Sequence, residues 1–183
     1  MSLVSHPQVP IIGGTFQIPD RQAIGNFEDS TTWTALNDDV ANLNNSNSHI
    51  LGSSSLAFDK VNGTANSTVA VVESTIAEID LRRFMQNAKI LSALRVSSVS
   101  KILTVFIRIG TDSSNYNQWI FSVSGLLANA WNELNKKLSE TEVGVSGTGL
   151  NLAAVTYIAV GASFGSETDT LADIKWDNVH IVS

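Results

Sequence analysis

The chain contains no cysteine. Thiol catalysis, zinc–thiolate sites and disulfides are therefore excluded together. At 183 residues no such staple is required, because a domain of this length buries roughly 70% of its unfolded surface. Charge is also scarce: Asp, Glu, Lys and Arg make up 15% of the residues, against about a quarter in an ordinary domain. The balance is acidic, at −6. The basic clusters, Arg82-Arg83 and Lys136-Lys137, are mere pairs. That is too little to neutralise a phosphate backbone, so nucleic acid is not an expected partner. No run approaches the roughly 18 apolar residues of a membrane span, and no membrane partner is expected. His6, His49 and His180 lie far apart and lack the close spacing of a helical or strand-borne metal pair. There is no GxSxG elbow and no glycine-rich phosphate loop after a strand-like run. The acids Asp112, Glu133, Glu140, Glu142, Glu167 and Asp169 fall in segments read as loops, where solvation explains them without a glycosidase carboxylate pair. The chain reads as a non-enzyme.

What the sequence does have is strand periodicity. In Ile102–Gly110, Leu103, Val105, Ile107 and Ile109 share one face while Thr104, Phe106 and Arg108 share the other. A polar TDSSN cluster follows, and then Asn117, Trp119, Phe121 and Val123 alternate with Gln118, Ile120 and Ser122. Two period-2 runs joined by a short polar loop predict a hairpin, with Trp119 in the core. Similar runs predict strands at Ile24–Trp33, His49–Lys60, Val69–Ile79, Ala88–Ser97, Leu150–Ala162 and Asp173–Val182. Residues 34–48, rich in Asn and Ser, read as loop. Asp80 is placed to cap a single helical turn over 80–87. Residues 126–138 carry Leu127, Trp131, Leu134 and Leu138 at helical spacing, but the Asn-rich surroundings favour a turn followed by a strand. Many short strands between turn clusters predict one all-β domain, an antiparallel β-sandwich.

Residues 1–23 contain all of the prolines, Pro7, Pro10 and Pro19, and a Gly13-Gly14 pair. Proline removes backbone donors and glycine removes stiffness, so an extended arm is expected rather than a packed element. It is nevertheless apolar, and Val9, Ile11, Ile12 and Phe16 are the side chains expected to dock, either on the arm's own sandwich or on a neighbouring subunit. The opening lacks a basic segment followed by a continuous apolar one, so it does not read as a signal peptide. Asn62-Gly63-Thr64 and Asn66-Ser67-Thr68 match the glycosylation sequon and are expected to be unmodified loop residues.

IGNFEDSTTW, HILGSSSLAFDK, Tyr116 with Trp119, Ala130-Trp131-Asn132 and the closing IKWDNVHI together resemble the galactose-binding-like β-jelly-roll over residues 24–183. That fold is shared by carbohydrate-binding modules of glycoside hydrolases and by domains of bacteriophage virion proteins. The resemblance implies a structural calcium ion where the first and last strands meet, with Glu28 and Asp177 at the matching positions, although Ser30 stands where the modules carry a turn glycine. It also implies an aromatic platform for sugar. Tyr116, Gln118, Trp131 and Tyr157 are the candidates, with Asn115 and Asn117 beside them; Trp33, Trp131 and Trp176 also read as core or rim. Two functions follow as expectations. The leading one is a virion subunit made in the host cytoplasm, a capsid decoration, head-fibre or tail component that assembles with itself or with other virion subunits through the arm. The alternative is a carbohydrate-binding module recognising surface glycans.

Overall fold

The structure, a computed structural model, describes residues 20–84, 87–140 and 146–183. The strands in chain order are β1 (Arg21–Ala23), β2 (Thr34–Ala35), β3 (Val40–Ser46), β4 (Ser55–Lys60), β5 (Val69–Ile79), β6 (Lys89–Arg95), β7 (Ile102–Asp112), β8 (Asn115–Ser122), β9 (Trp131–Lys137), β10 (Val155–Phe164) and β11 (Leu171–Val182). They form two antiparallel sheets. One has six strands in the order β3-β4-β11-β6-β9, with β1 added against the end of β11; the other has five, β2-β5-β10-β7-β8. This is the expected β-sandwich of jelly-roll type. The layers meet over a core in which Trp119, Trp176, Phe58, Phe84 and Phe164 are fully buried. The Trp119 indole spans the layers, its Nε1 donating to the Leu138 carbonyl at 3.2 Å.

The hairpin β7–β8 follows the sequence pattern from Val105 onward, with Val105, Ile107, Ile109 and Trp119 fully buried. Leu103, expected on the same face, is exposed, because a register shift against β10 between Thr104 and Ile102 turns Ile102 inward in its place. Residues 126–138 do form a turn and then a strand, so Leu134 and Leu138 are buried while Leu127 stays 66% exposed. Several boundaries differ. Ile24–Trp33, expected as a strand running into a turn, holds the turn but not the strand: it is a turn segment around one 3₁₀ turn, Ser30–Thr32, capped by the Asp29 side chain. Its alternation is imitated by Phe27 and Trp33, which pack at 4.9 Å, the indole Nε1 donating to the Asn26 carbonyl at 2.7 Å. Residues 34–48, expected as loop, hold β2 and β3. Strands β4 and β10 begin at Ser55 and Val155, later than predicted. Arg21–Ala23, assigned to the arm, instead pairs with His180–Val182. The docking residues Val9, Ile11, Ile12 and Phe16 lie outside the described residues.

The hidden strand β3 has a physical reason. Ala41 pairs with Asp59 and Asn44 with Ala57, so three steps on β3 match two on β4. The extra residue lies beside Asn42, at φ 52°. The same device recurs twice in β11, once around Asp173 (φ 62°) against β4 and once around Asn178 (φ 62°) against β6. A β-bulge inserts one residue and shifts the alternation. Asn and Asp tolerate the left-handed region better than other side chains.

Beneath the β3–β4 end sits a buried ion pair, Lys60 Nζ to Asp39 Oδ1 at 3.1 Å, with both side chains fully buried. The ammonium also donates to the Val61 carbonyl at 2.6 Å and the Glu167 carbonyl at 3.0 Å. Asp39 accepts from Gly63 N–H and Ser67 N–H, each at 2.9 Å. Burial pushes the Asp39 carboxyl up, but the Ser67, Lys60 and Gly63 bonds outweigh it and hold it below its usual range. One charge pair thus fixes the 61–68 loop and the 167 turn to the sheet.

Two outcomes are expected in urea unfolding. Asp39→Ala should destabilise by about 3–5 kcal/mol, because it strands a buried ammonium. Asn178→Val should cost about 1–2 kcal/mol through the left-handed backbone, while Asn178→Gly keeps most of the stability.

Candidate functional site

The outward side of the five-stranded sheet carries a second, smaller cluster. Val71, Phe106, Tyr157 and Ala159 are buried there, with Tyr116 and Ile120 packed against them. The register explains how distant residues meet. Tyr157 pairs with Gly110, and Gly110 with Tyr116. In the next outward row Glu73 pairs with Ala159, Ala159 with Arg108, and Arg108 with Gln118. In the row after that Val71 pairs with Gly161, Gly161 with Phe106, and Phe106 with Ile120. Beyond Tyr157 the middle strand therefore offers small outward residues, Ala159 and Gly161, with larger side chains on both flanks. Gly161 is required: a Cβ there would lie 2.8 Å from Phe106 Cζ and 2.5 Å from the Ala70 carbonyl oxygen.

Arg108 is the centre of this face. Its guanidinium lies over the Phe106 ring at 4.8 Å and over the Tyr116 ring at 4.9 Å, and its Nε donates to Gln118 Oε1 at 2.7 Å. Cation–π contact on two rings together with a hydrogen bond fixes the side chain before any ligand arrives. The Tyr116 and Tyr157 rings stand 6.1 Å apart, tilted by 32°. Tyr157 donates its phenolic proton to Glu73 Oε2 at 2.9 Å. Burial, and then the Glu73 carboxylate, push the Tyr157 pKa upward, so the phenol stays a donor. Beside it Thr34, Glu73, Asp112 and Tyr157 border a cleft of about 400 Å³. The face thus combines the partly exposed Tyr116 ring, one cation, the carboxylates of Glu73 and Asp112, and one amide.

Of the residues expected to bind sugar, Tyr116, Gln118 and Tyr157 are brought together here. Trp131 is not. It begins β9, at the edge of the other sheet, and borders clefts there. Asn115 and Asn117 have structural duties: Asn115 Oδ1 accepts from Thr148 N–H and Asn117 Oδ1 from Leu150 N–H, each at 3.0 Å. The platform residues that were missed are Phe106, Arg108 and Glu73. The signal existed, since Phe106 and Arg108 alternate onto the same face and cross-strand neighbours share it.

Glu28 and Asp177 are also brought to one segment, but not around a cation. Glu28 Oε2 accepts from Ser53 N–H (2.9 Å), Ser53 Oγ (2.6 Å) and Ser54 N–H (2.9 Å). Asp177 Oδ2 accepts from Ile50 N–H (2.7 Å) and Leu51 N–H (3.0 Å). Calcium takes six to eight oxygens, mostly carboxylate and carbonyl. Here the carboxylates face peptide N–H groups, and among the described residues no group of three or more His, Asp or Glu side chains gathers. The residues do not fit the ion. They form an anionic clip on the β3–β4 loop.

No family model matches the chain, and no curated protein matches it. Solved structures do. The family 11 carbohydrate-binding module from Clostridium thermocellum, in complex with a β-1,3-1,4-mixed-linked tetrasaccharide, aligns with a TM-score of 0.63 at 9% identity, over 91% of this chain and 97% of that one. A family 30 carbohydrate-binding module aligns with a TM-score of 0.57 at 10% identity, over 91% and 94%. An exo-β-agarase aligns at 0.55 and 11% identity, over 87% of this chain but 25% of the enzyme. At such identities the likeness shows the jelly-roll fold.

The clip generates a prediction. Hydrogen bonds from the Ser53 hydroxyl and N–H hold the Glu28 carboxyl below its ordinary 4.5. A depressed carboxyl stabilises fully above its unfolded pKa and loses that contribution as pH falls through the folded value. Thermal melting temperature should therefore decline on acidification below about pH 4.5, and less steeply in Glu28→Gln. Addition of EDTA at neutral pH should leave it unchanged.

Proposed function

We propose that the chain is a non-catalytic carbohydrate-binding module that holds a glycan chain against the outward face of its five-stranded sheet. The observation that carries this is the Phe106–Arg108–Tyr116 stack with Tyr157 and Glu73 beside it. Pyranose rings present C–H faces that pack on tyrosine, and hydroxyl edges that need both donors and acceptors. The free N–H groups of Arg108 donate, while Glu73, the Gln118 carbonyl and the Tyr157 oxygen, whose proton goes to Glu73, accept. One cation beside two carboxylates, Glu73 and Asp112, favours a neutral sugar over a polyanion, in keeping with the net charge of −6. Preorganisation of Arg108 lowers the ordering cost of binding. The tetrasaccharide named for the family 11 neighbour makes a mixed-linked β-glucan the first ligand to try. Assembly into a virion rests on the arm's docking residues, Val9, Ile11, Ile12 and Phe16, which lie outside the described residues, and no observation favours it.

Isothermal titration with mixed-linked β-glucan, xylan and agar oligosaccharides tests the proposal. One of these should bind, and Arg108→Ala should weaken it at least about 10-fold, equivalent to about 1.4 kcal/mol. Tyr157→Phe, which keeps the ring and the fold, should weaken it less. A folded wild-type chain that binds none of the three would sink the proposal.

A further inference from the structure

Trp131 is displaced from the tyrosine platform, but it has a setting of its own. On the outward side of the six-stranded sheet, a cleft of about 300 Å³ is bordered by Trp131, Glu133, Arg21, His180, Asn178 and Ile50, among others. Five separate segments build it, among them β6 with Leu91, Ser92 and Ala93. Strand β9 supplies Trp131 and Glu133, β1 supplies Arg21, and β11 supplies Asn178 and His180. Ile50 comes from the clipped loop, its N–H held by Asp177. The Asn178 bulge keeps Val179 in the core while both Asp177 and His180 turn outward.

The polar groups around this cleft are left open. Arg21 and Glu133 do not pair with each other, and the Glu133 carboxylate and the Trp131 indole N–H have no hydrogen-bond partner among the described residues. Among the described residues the Arg21 side chain makes one polar contact, Nη2 to His180 Nδ1 at 3.3 Å. His180 is 3% exposed, and its Nδ1 also lies 2.9 Å from the Asn178 carbonyl oxygen. Its Nε2 has no hydrogen-bond partner among the described residues. Among the described residues the buried side-chain polar atom left unsatisfied is Trp176 Nε1, so His180 Nε2 reaches the cleft rather than being sealed beneath it. Burial and then the Arg21 charge disfavour protonation of His180. The cleft thus holds one cation, one anion and a neutral imidazole, which favours neither an anion nor a cation. A volume near the lower end of small-molecule sites, about 300 Å³, suits one sugar ring rather than a chain.

We infer that this cleft is a second, independent binding site for a single neutral pyranose, stacked on Trp131 and hydrogen-bonded through Glu133, Arg21 and His180 Nε2. It is separate from the platform, on the opposite outer face of the sandwich, and does not rest on that reading. The chemistry is that of a half-exposed indole with an acceptor and a donor on its flanks.

The four tryptophans make the test direct, because Trp33, Trp119 and Trp176 are at most 3% exposed. The full chain, labelled with ¹⁵N, is titrated with methyl β-D-glucopyranoside, methyl β-D-galactopyranoside and methyl β-D-xylopyranoside. With at least one of them the Trp131 indole and Glu133 amide signals should shift saturably, with half-saturation at about 1–10 mM. The shift should persist in Tyr157→Phe and Arg108→Ala. In Glu133→Gln, an exposed substitution, half-saturation should rise about 3–10-fold. Three results would overturn the inference: no saturable shift with any of the glycosides, loss of the shift in Arg108→Ala, or indifference to Glu133→Gln. Binding at Trp131 without binding of the longer oligosaccharides would defeat only the platform.

Discussion

Strand β11 has to keep its apolar side chains inward over twelve residues while pairing with β4, β6 and β1. An unbroken alternation would turn half of them outward after each mismatch with a neighbour. The left-handed residues Asp173 and Asn178 resolve this, each absorbing one residue so that Ile174, Trp176, Val179 and Ile181 all reach the core. The consequences run to the surface. Asp177, just before the second bulge, faces outward and grips Ile50 and Leu51, while His180, just after it, faces the same way. The hold on Ile50 and Leu51 in the β3–β4 loop and the cleft beside Trp131 both depend on that reset.

The other sheet reaches its surface by a different route. Between Tyr157 and Ser163 the ladders of β10 with β5 and β7 run in continuous register. Beside Tyr157, the small outward residues Ala159 and Gly161 of β10 leave room for the flanking side chains of Phe106 and Arg108. Regularity, not irregularity, brings Tyr116, Arg108, Phe106 and Tyr157 into one neighbourhood. The two faces show opposite uses of a period-2 backbone: one keeps it to line up distant strands, the other interrupts it to aim individual polar groups.

Much of this was legible from residue order. The β7–β8 hairpin, the burial of Trp119 and the strand at 131–137 all follow from alternation and turn chemistry, and so does the pairing of three platform residues, because cross-strand neighbours inherit a common face. What alternation cannot convey is which sheet a strand joins. Trp131 was grouped with Tyr116 for that reason, and it lies on the other layer. Strand β3 was missed because Asn42 breaks its period. Ile24–Trp33 was mistaken for a strand because two aromatic side chains fold inward from a turn. Glu28 and Asp177 were rightly linked as distant acids serving one place, but residue type alone does not tell whether a carboxylate faces a cation or peptide N–H groups.

The Asp39 anchor has a chemical consequence for the ageing of the chain. Asn62-Gly63 is the dipeptide most prone to spontaneous deamidation, because the unhindered glycine nitrogen attacks the asparagine carboxamide to close a succinimide ring. In this fold that nitrogen is engaged with Asp39 Oδ1 at 2.9 Å, and the backbone around Gly63 is hemmed in by Asp38, whose carbonyl oxygen lies 2.3 Å from where a Cβ would stand. A nitrogen so held cannot readily swing onto the side chain. The folded protein shields its own weakest peptide linkage, and the unfolded chain is the form that accumulates isoaspartate.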